Sequence, residues 1–291
     1  MAQRRAVACG AGGVPRVNAN EGTARVTLIG HATLLIQVAG MNILTDPVWS
    51  QCASFAQWVG PKRVSPPSVR LQDLPPIDLV LISQDHYDHL DTATLAQLHA
   101  RYRPRVIAPL GNAKLLRSVM PQSVVSEHDW GDSVAVSNNQ GSAVIHIEPM
   151  LHGSGRSPWD QMRTLWAAFV IEAGDLKIYH VGDSGYGNGA IFRAAGENHG
   201  DFDFALLPIG AYEPASFMAD SHMRPSEAVK AIQDSRSHRA LAHHHETFQL
   251  GFEAFDAPRK ELVDALNKAH LSPAQIVAPR PGEVLTFMPM R

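Results

Sequence analysis

Ser83-Gln84-Asp85-His86-Tyr87-Asp88-His89-Leu90-Asp91 is the stretch on which the reading of this chain turns. It follows an apolar run, Ile77 to Ile82, that reads as a buried strand, and it precedes a segment of helical spacing that begins at Asp91. Two imidazoles and a carboxylate therefore fall within His86 to His89, where a strand leaves its sheet. That is where α/β proteins put their chemistry. A turn lets His86, Asp88 and His89 point to one side, whereas an extended strand sends successive side chains to opposite faces. Neutral imidazole together with carboxylate suits a borderline metal such as zinc. Any one of these histidines alone reads as part of a solvated polar turn; the His-x-Asp-His cluster reads as a metal site.

Upstream, short strand-like runs cover Arg25 to Ile29, Thr33 to Val38 and Asn42 to Thr45, with a hairpin turn at Gly40-Met41 and a stop at Asp46-Pro47. Val48 to Pro76 carries five prolines and no period, so it reads as a long loop. Loops of that length in a compact domain tend to be functional or disordered. This one mixes apolar and basic groups (Trp49, Phe55, Trp58, Lys62, Arg63) and could border a substrate groove. Downstream, Leu95, Leu98 and Tyr102 recur at helical spacing behind Asp91, a suitable N-cap. Short strands and helices then alternate. The strands include Val124-Val125, Leu165 to Ile171, Leu176 to Val181, Phe204 to Leu207 and Ala240 to Ala242. The helices include Gly189 to Ala195, Pro225 to Ile232 and Arg259 to Ala269. No repeat and no linker interrupts them. Strands first, then strands mixed with helices, fit a two-sheet sandwich covered by helices, with one domain over 24–291 and a flexible arm over 1–23.

Composition bounds the function. The chain has 291 residues, 45% hydrophobic and 18% charged, enough for a sizeable core. A formal charge of -3 gives no basic footprint, which disfavours nucleic acid as a partner. Two cysteines, Cys9 and Cys52, cannot build a disulfide framework. Apolar runs stay short of the roughly 18 residues of a membrane span, and the start lacks the apolar stretch of an ordinary signal peptide. A cytoplasmic enzyme is the expectation.

Further ligand candidates stand after other strand-like runs: His152 after Ile145 to Met150, Asp183 after Ile178 to Val181, and His243-His244-His245 after Ala240 to Ala242. A lone His152 or Asp183 reads as structural. Several strand ends supplying His or Asp together are a stronger pattern, because a metal site in a sandwich is built from loops at one edge.

The nonapeptide resembles the His-x-His-x-Asp-His motif of the metallo-β-lactamase superfamily, with Gln84 where the motif has its first histidine. Longer segments are similar to one branch of it, that of N-acylphosphatidylethanolamine-hydrolysing phospholipase D and its bacterial relatives. They are Leu44-Thr45-Asp46-Pro47-Val48-Trp49-Ser50, Gly60-Pro61-Lys62-Arg63-Val64, Gly182-Asp183-Ser184-Gly185-Tyr186 and Pro208-Ile209-Gly210-Ala211-Tyr212-Glu213-Pro214. The resemblance runs from about Gly22 onward. It implies a four-layered αββα sandwich and phosphodiester hydrolysis of a small or lipid-like substrate by a metal-bound hydroxide. Peripheral membrane contact would be compatible with such a substrate.

Carried over, the resemblance makes His86 and His152 ligands of a first zinc, Asp88, His89 and His244 ligands of a second, and Asp183 the bridge between them. Asp88 and Asp183 would also position the hydroxide. His222 would line the site and act on the phosphoryl group or the leaving oxygen. Asp46 would hold a ligating imidazole in its tautomer. His243 and His245 read as packing or supporting residues, and His31 as structural. Gln84, a poorer ligand than imidazole, implies a weakened first site in a centre of one or two zinc ions, and Asp85 faces away. Two alternatives stay open: hydrolysis of an ester, lactone or β-lactam by the same centre, and a metal-binding pseudoenzyme.

Overall fold

The structure, a computed structural model, describes residues 5–6 and 22–290. Its first sheet contains β1 (Arg5–Ala6), β2 (Ala24–Gly30), β3 (Thr33–Val38), β4 (Met41–Thr45), β5 (Leu79–Leu81), β6 (Arg105–Pro109) and β7 (Val125–His128), and ends with β15 (Glu283–Phe287). The second contains β8 (Ser133–Ser137), β9 (Ser142–Glu148), β10 (Ala168–Ala173), β11 (Leu176–His180), β12 (Phe204–Pro208), β13 (Ala240–His243) and β14 (Ile276–Val277). Strand order is β1-β15-β2-β3-β4-β5-β6-β7 in one sheet and β14-β13-β12-β11-β10-β9-β8 in the other.

Each sheet is antiparallel in one half and parallel in the other: β4 to β7 run parallel, and so do β11 to β14. Parallel neighbours need a crossover; the long loop after β4 makes the one to β5, and helices supply the others. On the first sheet these are α1 (Thr92–Tyr102) and α2 (Ala113–Val119). On the second they are α3 (Ala190–His199), a short α4 (Ala215–Met218), α5 (Pro225–Asp234) and α6 (Ala257–Lys268).

Period-two alternation explains the layers. In β3, Leu34, Ile36 and Val38 face the second sheet's Ile145, Phe169, Ile178 and Leu206, whereas Leu35 turns outward to α1 and α2 with Val80, Leu95, Leu98 and Leu116. The second sheet's outer face packs Val170, Tyr179 and Ala205 under Phe192, Ala228, Ile232 and Leu262 from α3, α5 and α6. Both faces of both sheets are covered, which gives the αββα order.

Most expected elements appear, some with shifted ends. The strand expected over Leu165 to Ile171 begins only at Ala168, because the Leu165 and Ala167 amides donate instead to Leu110 and Ser83 across the sandwich. The strand expected at Val124-Val125 starts at Val125 and runs on to His128, and the helix over Gly189 to Ala195 continues to His199. Asp91 caps α1, accepting from the Ala93 and Thr94 amides. The 48–76 segment is a tied loop: the Trp49 indole donates to the Val69 carbonyl, and the Arg63 guanidinium to the carbonyls of Val48 and Ser50. Most of the arm expected over 1–23 lies outside the described residues; Arg5–Ala6 pairs with β15. Among the described residues no helix is long and apolar enough to cross a membrane.

His180 is a polar residue on a core-facing strand position. Its ring stacks on Phe169 with centroids 6.4 Å apart, neither ring nitrogen has a hydrogen-bond partner, and burial lowers its pKa to about 4. A histidine protonates more readily unfolded than folded in this situation. The stability it permits is therefore full above about pH 6.5 and is lost as pH falls toward 4. We expect His180→Phe to narrow the gap in unfolding free energy between pH 7.5 and pH 4.5. The gain at the acid end should be of order 3 kcal/mol by the usual conversion of pKa into free energy. Urea unfolding of both proteins at the two pH values measures it, and an unchanged gap would sink the account.

Candidate metal centre

Six chain segments meet at one edge of the sandwich, and each is a strand end. The turn after β2 carries His31, and the end of β4 carries Asp46. The segment after β5 carries Gln84 to Asp91; His152 follows β9, Asp183 follows β11, and His244 follows β13. The turns are tight. His31, Asp46 and His244 all have positive φ (57°, 37° and 61°), uncommon for residues with a side chain and costly unless the surroundings impose it. Gly210 passes so close to this edge that a Cβ there would lie 2.0 Å from the His244 carbonyl oxygen.

Asp46 is fully buried and sits beneath the cluster. Its carboxylate accepts the Ser83 amide and hydroxyl, both at 2.7 Å, and His89 Nδ1 at 2.9 Å. That bond turns Nε2 of His89 toward Asp88 Oδ2 at 3.5 Å and Asp183 Oδ2 at 3.7 Å, the nitrogen a metal would take in place of a proton. His244 Nε2 approaches the same two oxygens at 3.6 and 3.2 Å.

On the other side, the His152 Nδ1 group meets the Ser221 carbonyl at 3.0 Å, which turns Nε2 toward His86 Nδ1 (3.2 Å) and Asp183 Oδ2 (3.7 Å). His222 Nδ1 stands 3.1 Å from the other Asp183 oxygen. One oxygen, Asp183 Oδ2, is thus approached by three imidazoles from both halves of the cluster.

These spacings bear on metal binding. The nitrogens His89 Nε2 and His244 Nε2, and the His222 Nδ1–Asp183 Oδ1 pair, are buried and lack hydrogen-bond geometry despite their closeness. Buried polar atoms left so cost roughly 1–3 kcal/mol each. Donors bound to a common zinc at about 2.0–2.2 Å lie some 3 to 3.6 Å apart, and they need not align on one another. The residues therefore fit a cation between them better than a network of hydrogen bonds.

The electrostatics agree. Burial disfavours charge on Asp88 and Asp183, but the surrounding histidines outweigh it and hold both carboxyls well below the usual range. Burial also opposes protonation of His89 and His244, yet their carboxylates dominate, raising His89 well above its ordinary value and His244 to about 9. His152 is pushed by burial to about 3, because Asp183 is the one carboxylate that favours its charge and His222 and His86 oppose it. A pocket this anionic at its centre draws positive charge, from protons or from a metal.

The residues singled out in the sequence as ligands, His86, Asp88, His89, His152, Asp183 and His244, come together here, with His222 and Asp46 beside them. Asp85 does turn away: its carboxylate accepts the Gly155 amide and the Thr164 hydroxyl, anchoring the loop after His152. Gln84 is fully buried and neither atom of its amide has a partner. His243 and His245 are buried nearby without partners.

His31, read as structural in the sequence, stands in the cluster. Its Nε2 lies 2.9 Å from Asp88 Oδ2 and its ring 3.9 Å from that of His244. Its signal was the same as for the others, a histidine just past a strand end. Beside the cluster opens a cleft of about 300 Å³ lined by Ala53, Tyr87 and Leu250 as well as His86, Asp88, His152, Asp183 and His222.

Residues 41–245 match the beta-lactamase superfamily domain. An N-acyl-phosphatidylethanolamine-hydrolyzing phospholipase D of Caenorhabditis elegans is 36% identical over 249 residues, covering 82% of this chain and 69% of that protein. An uncharacterized protein of Mycobacterium tuberculosis is 38% identical over 262 residues, covering 89% of this chain and 67% of that one. Among solved structures, a metallo hydrolase of Ignicoccus hospitalis superposes with a TM-score of 0.65 at 21% identity, over 91% of this chain and 98% of the other. The chain belongs to the beta-lactamase superfamily, among its metal-dependent hydrolases.

Asp46 offers a direct test of how the centre is held. Removing a carboxylate that orients a ligating imidazole typically costs about 10- to 100-fold in metal affinity or activity. Asp46→Ala should weaken metal binding by that much in a competition titration with a chromophoric chelator, and an unaltered affinity would count against the role given to His89.

Proposed function

We propose that this chain is a zinc-dependent phosphodiesterase acting on a lipid-like or otherwise amphipathic phosphodiester. The carrying observation is the donor set itself: Asp88 and Asp183 among the imidazoles of His86, His89, His152, His222 and His244, three of which converge on Asp183 Oδ2 beside an open cleft, with His89 Nε2 and His244 Nε2 buried and without hydrogen-bond partners. The substrate class is supported by the relatives named as N-acyl-phosphatidylethanolamine-hydrolyzing phospholipases D in Caenorhabditis elegans and Saccharomyces cerevisiae, 36% and 30% identical to this chain. The segments that lend Ala53, His152, His222 and Leu250 to the cleft also expose Phe55, Trp58, Trp159, Phe217 and Phe252, a surface compatible with acyl chains.

In this reading His86, His152 and Asp183 hold a first ion, and Asp88, His89, His244 and Asp183 a second. When bound, zinc supplies a Lewis acid that polarises a phosphoryl oxygen and lowers the pKa of water toward neutrality. Asp88 and Asp183 orient the attacking water as well as balance charge. His31 holds the Asp88 carboxylate in place from behind. His222, which lines the cleft, would donate to a phosphoryl oxygen or to the departing alkoxide. Turnover of a phosphodiester and of a carboxylic ester, before and after chelation, tests the reading. Cleavage of the diester that is lost with the metal is expected; cleavage of the ester alone would transfer the centre to acyl substrates, and turnover indifferent to chelation would end the metal reading.

Gln84 makes the two ions unequal. A neutral amide is a weaker ligand than imidazole, so the second ion binds more tightly and the first is lost on chelator washing. Gln84→His should raise first-site affinity in a metal titration and raise diesterase turnover with it. Two equally tight sites in the wild type would refute this. A variant that gains metal without gaining turnover on any ester or diester would favour a protein that binds metal without catalysis.

A further inference from the structure

A second group of metal-ligating side chains lies away from the centre, on the outer face of the second sheet. His146 and Glu148 alternate outward on β9, because Ile145 and Ile147 between and beside them belong to the core. Glu172 points outward from β10, diagonal to His146 across the Val170–His146 pair. His199 ends α3, which packs over this face. One donor atom each from His146, Glu172 and His199 lie within 4.8 Å of one another. The two imidazole rings are 4.8 Å apart between centroids.

The partners of these groups leave donor atoms unused. His146 Nε2 is buried and unpartnered, 3.6 Å from Glu172 Oε2, too far for a hydrogen bond. The other Glu172 oxygen is 3.3 Å from Lys177 Nζ, so Oε2 remains available. Glu148 Oε1 meets His199 Nε2 at 2.7 Å, the arrangement in which a carboxylate fixes the orientation and tautomer of a ligating imidazole. Lys177 Nζ also donates to the His199 carbonyl, at a helix end that already favours positive charge. All three side chains are partly exposed, so none is locked into the core, and zinc would draw their donors to about 2.0–2.2 Å.

We propose that His146, Glu172 and His199 form a separate site for a borderline divalent cation such as zinc, with Glu148 holding His199. The ion would join β9, β10 and the C-terminal end of α3, adding to the ladder between the two strands and to the Glu148–His199 contact. The site shares no residue with the catalytic centre and stands whether or not that centre is a diesterase.

The test is equilibrium dialysis of the full-length protein against Zn2+, with bound metal read by atomic emission. The wild type is compared with His146→Asn/His199→Asn and with Glu172→Gln, and each is repeated in a background carrying Asp88→Asn and Asp183→Asn. The wild type should bind one more equivalent than the double histidine variant, and in the disabled background a single equivalent should remain and then vanish with it. Glu172→Gln, which keeps the side-chain shape, should weaken this equivalent at least about tenfold. Hydrolytic turnover with metal in excess should not change. Equal uptake by the double histidine variant and its parent overturns the proposal. Should that variant fail to fold, unaltered zinc affinity in Glu172→Gln overturns it equally.

Discussion

Two carboxylates, Asp183 buried and Asp88 largely so, face a ring of imidazoles, and the surrounding structure keeps most of that charge out of water and in register. Unpaired, either carboxylate would carry a desolvation cost of several kcal/mol. Each is compensated from more than one strand end: Asp88 by His31, His89 and His244, Asp183 by His89, His152, His222 and His244. The ends of β4, β5, β11 and β13 in the parallel halves, joined by those of β2 and β9 in the antiparallel halves, reach the same edge, so the fold delivers these groups from opposite layers. The antiparallel halves and the covering helices supply apolar burial that holds the two layers in place.

The support is layered by reach. Asp46 fixes His89 from below through hydrogen bonds that also tie down Ser83, the first residue of the metal-like turn. Asp85 secures the loop after His152, and Arg156 from that loop donates back to the Asp85 and Leu90 carbonyls while covering the Tyr87 ring. The two ligand-bearing segments thus brace one another. The expected substrate loop divides its labour: Arg63 and Trp49 clamp it to the scaffold, while Phe55 and Trp58 remain free at the surface.

The strained backbone follows the same logic. His31, Asp46 and His244 adopt left-handed conformations next to one another, and the His244 amide donates to the His31 carbonyl across the gap between sheets. Such conformations persist where the surrounding contacts over-determine them. Here they aim side chains inward from strands that would otherwise pass straight through the edge.

Local sequence by itself determined the elements and where each side chain with metal chemistry would sit along the chain. The apolar runs of β3 and β10, the Asp91 cap and the cluster after β5 are short-range signals, readable because strand composition and turn chemistry act over a few residues. Tertiary structure decided what depends on distance across the fold. Leu165 and Ala167 left their strand because distant carbonyls claimed their amides. His31 joined the cluster because β2 and β13 end side by side in different sheets, a proximity no local pattern encodes. The orphaned Gln84 amide and the outer group of His146, Glu172 and His199 likewise became visible only when burial and sheet pairing were known, since both depend on what the rest of the chain places around them.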